Sequence, residues 1–218
     1  MKDKLKKLAD ERPPVTGKET QMDYLKLYNL ETYLFDTVSS AFQKNGRLNA
    51  FDFFCIVIWK ANRAKSKVAL KMLLKDVKGR KDLDAIAKDL TSQIHDAKSR
   101  EERMKVLIRD GGFRLPMASA ILTVLYPNDF TIYDVRVCNV LGNYHKVQTK
   151  KPFDDLWRGY EEFLDAVKKA APEGLSLRDK DRYLWGKSFA NDLVEDIETL
   201  FQKDEEEADP PVRIPAVS

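Results

Sequence analysis

Between Arg109 and Gly142 the chain reads RDGGFRLPMASAILTVLYPNDFTIYDVRVCNVLG, and two of its features could do chemistry. Gly111-Gly112 interrupts one helical apolar pattern just before a second begins near Leu115. The first backbone N–H groups of the second helix then have no intrahelical acceptor and make a seat for a phosphate. Gly112, Arg114 and Leu115 belong to that seat with Gly111. The same turn also describes a plain helical hairpin, and a phosphate contact carries no sequence information. Asp134 stands where the next helix should start. An acid there is ordinarily an N-cap, and it is also a carboxylate placed for function. A third group lies earlier, where the apolar run FDFFCIVIW turns abruptly into KANRAK. Lys60, Asn62, Arg63 and Lys65 then emerge at a surface, either to meet a polyanion or as cations placed favourably at a helix C-terminus.

The elements that position these groups read as helices. Apolar residues recur at helical spacing from Thr20 to Lys44, and Asn45-Gly46 supplies the stop. A central, enclosed helix is expected over about Asn49 to Lys65, followed by helices at about Ser66 to Lys78, Leu83 to Ala97 and Arg100 to Arg109. Leu115 opens the next, with Pro116 in its first turn, where a missing N–H is harmless. Its small and aliphatic residues suit tight packing as far as Leu125, and Tyr126-Pro127-Asn128-Asp129 ends it. A short helix follows Asp134, and longer ones span about Pro152 to Ala171 and Leu177 to Gln202. Strand signals are weak, so the expected fold class is all-α. Residues 2 to 11 are expected to form a short basic arm stopped by Pro13-Pro14, and the acidic run after Lys203 to be disordered.

Composition limits the partners. With 43% hydrophobic residues, a chain of 218 residues can bury a substantial core. The net charge of +3 conceals an acidic end, because Asp204, Glu205, Glu206, Glu207 and Asp209 face only Lys203 and Arg213. The rest carries 36 basic against 30 acidic residues, a mildly basic body that permits nucleic-acid binding. Cys55 and Cys138 sit in apolar runs and read as buried thiols, with no zinc or iron–sulfur spacing. The charged start and the lack of a run of about 20 apolar residues point to a soluble protein of a reducing compartment.

GGFRLPMASAIL followed by FTIYDVRV resembles the signature of the helix-hairpin-helix DNA glycosylase superfamily. There a hairpin of the type LPGVGxKTA precedes a helix and then a V-D-x-x-V segment carrying a catalytic aspartate. Matching the motif's alanine to Ala118 sets Gly112 on the first hairpin glycine and Asp134 on the catalytic acid. Less directly, Phe51 to Lys65 resembles the family's early core helix, which makes Asn62 the candidate wedge for the gap left by an extruded base. Lys60, Arg63 and Lys65 become candidate DNA contacts. Two departures stand out. Arg114 replaces the second hairpin glycine, and Pro116 falls where strand-nicking members carry a Schiff-base lysine. A proline has no amine, so that covalent route is absent at this position.

The resemblance implies a two-lobed helical fold without an iron–sulfur cluster. The central lobe would span 49–151, and a terminal lobe would join 18–48 to 152–203. It implies a monofunctional glycosylase, a monomer acting on double-stranded DNA, with no membrane partner and a cytoplasmic or nucleoid-associated location. No metal or organic cofactor is implied, although a monovalent cation at the hairpin is compatible with it. The enzyme would extrude one base and hold it in a pocket, while Asp134 stabilises the positive charge that builds on the sugar. Trp185 and Lys187, on the late helix, are candidates for the base pocket: Trp185 to stack on the base, Lys187 as an amine. The alternative is a binding module of the same fold that has lost catalysis.

Overall fold

The computed structural model describes residues 24–201, and among these there is no strand. The expected arm at 2–11 and the acidic tail lie outside the described residues. Helix α1 (Tyr24–Tyr28) is separated from α2 (Leu30–Thr32) at Asn29, whose side chain accepts from the Thr32 N–H at 3.2 Å. A π-helical stretch, Tyr33–Val38, then runs into α3 (Ser39–Asn45). The single helix expected from Thr20 is therefore broken, because Asn29 caps a new start. Gly46, at φ +68°, ends α3 as expected.

Asn49 opens α4 (Ala50–Ala61) by accepting from the Asp52 N–H at 2.8 Å. Phe53, Cys55, Ile56 and Val57 of α4 are buried, as its apolar run requires. This helix stops four residues earlier than expected. Ala61 adopts φ −162° and ψ 83°, and a 3₁₀ turn (Asn62–Ala64) leads into α5 (Lys65–Lys75). Lys60, Asn62 and Lys65 consequently sit on three successive elements, with Lys60 turned to Asp134 and Lys65 bonded to Asn62.

Helices α6 (Leu83–Asp96) and α7 (Arg100–Lys105) are capped by Asp82 and Ser99. A π-helical stretch, Val106–Asp110, delivers the chain to the hairpin. Helix α8 (Leu115–Leu125) is the axle of the molecule, since every residue but Pro116 is buried. It is followed by α9 (Val135–Leu141), a 3₁₀ turn (Val147–Thr149), α10 (Phe153–Ala170) and α11 (Leu177–Glu198). One cluster of buried apolar side chains runs from Leu34 through α8 to Leu184. Burial of this kind contributes roughly 25 cal/mol per Å² of apolar surface, so α8 supplies an anchor that neighbouring segments can be fixed against.

The segment Phe130–Tyr133 uses that anchor. It is extended and wholly buried, so its backbone polar groups need partners. Ser119 of α8 accepts from the Tyr133 N–H at 2.9 Å. The Tyr160 hydroxyl of α10 donates to the Thr131 carbonyl at 2.7 Å and accepts from the Thr131 N–H at 3.1 Å. Tyr133 in turn donates to the Tyr144 carbonyl at 2.6 Å. Two side chains from outside the segment, and the hydroxyl of Tyr133 within it, thus hold the residues that lead into Asp134.

Candidate functional site

Asp134 begins α9, and its Oδ1 accepts from the Arg136 N–H at 3.0 Å. The cap expected from the sequence is therefore real, but it uses only one of the two carboxylate oxygens. Oδ2 is engaged by the Lys60 ammonium, which reaches it from the last turn of α4 in a close ion pair. Both side chains are mostly enclosed, at 15% exposure for Lys60 and 18% for Asp134. Burial pushes the Asp134 carboxyl up, but the Lys60 charge and hydrogen bond, together with the Arg136 N–H, outweigh it. The group is held below its ordinary value. At neutral pH Asp134 is a carboxylate.

Lys60 and Asp134 form a shared wall between two spaces. The larger is a cavity of about 370 Å³ whose walls include Trp59, Ile132 and Trp185. The smaller, about 230 Å³, lies toward the hairpin and includes Pro116, Tyr133 and His145 in its lining. The larger space is within the range typical of small-molecule sites, and its two indoles give it flat apolar surfaces. Trp185 stacks parallel on Phe189 with ring centroids 5.7 Å apart, while the Arg136 guanidinium lies 5.3 Å from the Trp185 ring. At 43% exposure, Trp185 still presents indole surface at the cavity mouth.

The floor of the larger cavity is a charged clamp that sequence reasoning missed. Arg178 of α11 pairs closely with both Asp181 and Glu31, and its guanidinium lies 4.9 Å from the Phe35 ring and 5.2 Å from the Trp59 ring. Arg182 adds a 2.9 Å bond to Glu31. Asp181 is buried to 3% exposure, and burial pushes its carboxyl up to about 6 despite the opposing charges of Arg178 and Lys60, with Asp134 adding repulsion. The sequence signal was present as Arg178, Asp181 and Trp185 on one helical face at i, i+3 and i+7. It was masked because α11 is polar around most of its surface.

Gly111 to Arg114 form a tight turn between the π-helical stretch and α8. Gly112 has φ +65°, and the Phe113 N–H bonds back to the Leu107 carbonyl at 2.9 Å. A side chain on Gly111 would strike the Phe113 ring at 2.7 Å. Arg114 is extended, at φ −81° and ψ 155°, a conformation open to any residue, so the missing second glycine does not distort the turn. Lys71 donates to the Gly112 carbonyl at 2.8 Å and places a tethered cation on the hairpin. Leu115 is buried and can offer only backbone. Beside the hairpin, Arg109, Arg114, Lys150 and Lys151 line one groove.

The remaining candidates line neither of the two spaces beside Asp134. Asn62, Arg63 and Lys65 are exposed on or beside the 3₁₀ turn, and Asn62 accepts from the Lys65 ammonium at 3.0 Å. Lys187 is exposed on α11 and does not line the cavity. Lys60, a candidate DNA contact, is the partner of Asp134. Among the described residues no group of three or more His, Cys, Asp and Glu is arranged to hold a metal, and no helix is long and apolar enough to cross a membrane. Comparison with family models, curated proteins and solved structures returned no match for this chain.

Proposed function

We propose that the protein is a DNA glycosylase, which extrudes a damaged or modified base from a duplex and breaks its N-glycosidic bond to leave an abasic site. The observation that carries this reading is an ionised, mostly enclosed Asp134 in the wall of a cavity lined by Trp59 and Trp185. As the glycosidic bond lengthens, positive charge develops on the sugar, and a fixed carboxylate stabilises it. The cavity would take the base between indole surfaces. The groove lined by Arg109, Arg114, Lys150 and Lys151 would hold backbone phosphates, and Asn62 would enter the gap in the duplex.

One observation favours a second reading, a duplex-binding module without catalysis. Lys60 already neutralises Asp134, so the carboxylate is not free to act on a substrate until that pair rearranges. The two readings part in one experiment: duplexes carrying oxidised, alkylated, mismatched or enzymatically modified bases are incubated with the protein and assayed for free base and alkali-labile sites. The glycosylase reading predicts release from at least one duplex. Binding across the whole panel with no release would leave the binding module.

A further inference from the structure

The Lys60–Asp134 pair raises an electrostatic problem for base release assisted by Asp134 alone. A carboxylate stabilises a cationic sugar through its negative field, but an ammonium in direct contact cancels most of that field and repels the same cation. An enclosed lysine on the stabilising acid is therefore a poor arrangement for a purely electrostatic mechanism. At rest the pair keeps Lys60 charged, but a base seated in the cavity would strip water from a pair already mostly enclosed, and desolvation favours the neutral amine with its proton passed to the carboxylate in hydrogen-bond contact. Its location also fits: Lys60 lines both the indole-walled cavity and the smaller space that contains Pro116. A base in the first and its backbone on the hairpin side would bring the glycosidic bond to the wall between them.

We propose that Lys60, supplied by α4 rather than by the hairpin, is the nucleophile that displaces the base. This rests on the glycosylase reading and replaces the expectation, drawn from Pro116, that no amine participates. The Lys60 ammonium passes one proton to Asp134 Oδ2 along the existing hydrogen bond, and the freed amine attacks C1′ of the sugar. The C1′–N bond breaks with its electron pair going to the base, which leaves with the proton returned by Asp134. One of the two protons now on the lysine nitrogen moves to O4′ as the C1′–O4′ bond opens, and an iminium joins Lys60 to C1′. Water hydrolyses the iminium to free lysine and an abasic aldehyde. Alternatively, water takes a C2′ proton, a C2′–C3′ double bond forms, and the C3′–O bond breaks with its electron pair leaving on the 3′ phosphate, which nicks the strand.

A duplex with a single abasic site tests this without knowledge of the base, because its C1′ aldehyde forms the same iminium by loss of water. Borohydride reduces that iminium to a stable amine. The expected result is a covalent protein–DNA product whose modified peptide contains Lys60. Its yield should fall by roughly tenfold or more in Lys60→Gln and in Lys60→Arg, and stay at the wild-type level in Lys187→Gln. Lys60→Arg keeps a cation on Asp134, so its loss of trapping separates a reacting amine from a purely structural one. Equal trapping by Lys60→Arg, or modification at another amine, overturns the proposal. Base release without trapping also overturns it but leaves the glycosylase reading intact, and absence of both release and duplex binding removes the two together.

Discussion

At the scale of single residues, two of the carboxyl groups that line the cavity are shifted in opposite directions. Asp134 is drawn below its ordinary value by Lys60 and the Arg136 N–H, whereas burial lifts Asp181 to about 6. Divergent carboxyls in one cavity are a recurrent property of sites that handle charge. The lifted value of Asp181 has a consequence for stability. A carboxyl with a higher pKa folded than unfolded binds its proton more tightly in the native state, so ionising it costs stability as pH rises from about 4 to above 6. Asp181→Asn should therefore gain on the wild type across that window, by a difference on the order of 3 kcal/mol, read as diverging melting temperatures at pH 4 and pH 7.5. A difference that does not change with pH would place the ionisation of Asp181 outside this range. The sequence made Asp134 legible because a cap and a turn flank it. It could not show Lys60 on Asp134, since that contact joins residues 74 positions apart.

At the scale of elements, the site depends on how an extended buried segment is fixed. Ser119 stands within an apolar helix and looked like one more small packing residue. Its hydroxyl is in fact the acceptor for the Tyr133 N–H, one residue before Asp134. Ser119→Ala would leave that buried N–H without its partner, and should lower stability by about 1–3 kcal/mol in denaturant unfolding. Base release should fall as well, since the carboxylate shifts with its backbone; unchanged stability would mean that the segment is held by other contacts. The hairpin makes a second prediction. Gly112 sits at φ +65°, where an added side chain costs about 1–2 kcal/mol, so Gly112→Ala should lower both melting temperature and duplex affinity. A stable variant that binds duplex normally would remove the hairpin from the DNA contact.

The helix pattern was legible wherever apolar periodicity and a cap coincide, as at Asn49, Asp82, Ser99 and Ser176. It misled where a helix continues in sequence but not in backbone. Nothing in the residue type of Ala61 announces its φ of −162°, so the sequence predicts one helix continuing to Lys65, with its basic end emerging at a surface. The π-helical stretches at Tyr33–Val38 and Val106–Asp110 were equally hidden, because their apolar spacing still fits an ordinary helix.

Taken whole, the molecule sets an indole-walled cavity, an ionised acid and a cationic groove around neighbouring spaces, the first two sharing Lys60 and Asp134 and the last two sharing Gln148. Phosphate contacts in that groove predict duplex affinity that falls steeply with salt. Each of Lys150→Gln and Lys151→Gln should lower the slope of log affinity against log salt by about 1, measured by titration across salt concentrations. The central claim is that Asp134 takes part in breaking a glycosidic bond, and the most direct measurement is single-turnover base release from a duplex that the wild type processes, compared with Asp134→Asn. The expected rate is lower by roughly a hundredfold or more, with duplex affinity largely retained. Equal rates for the two proteins would contradict it.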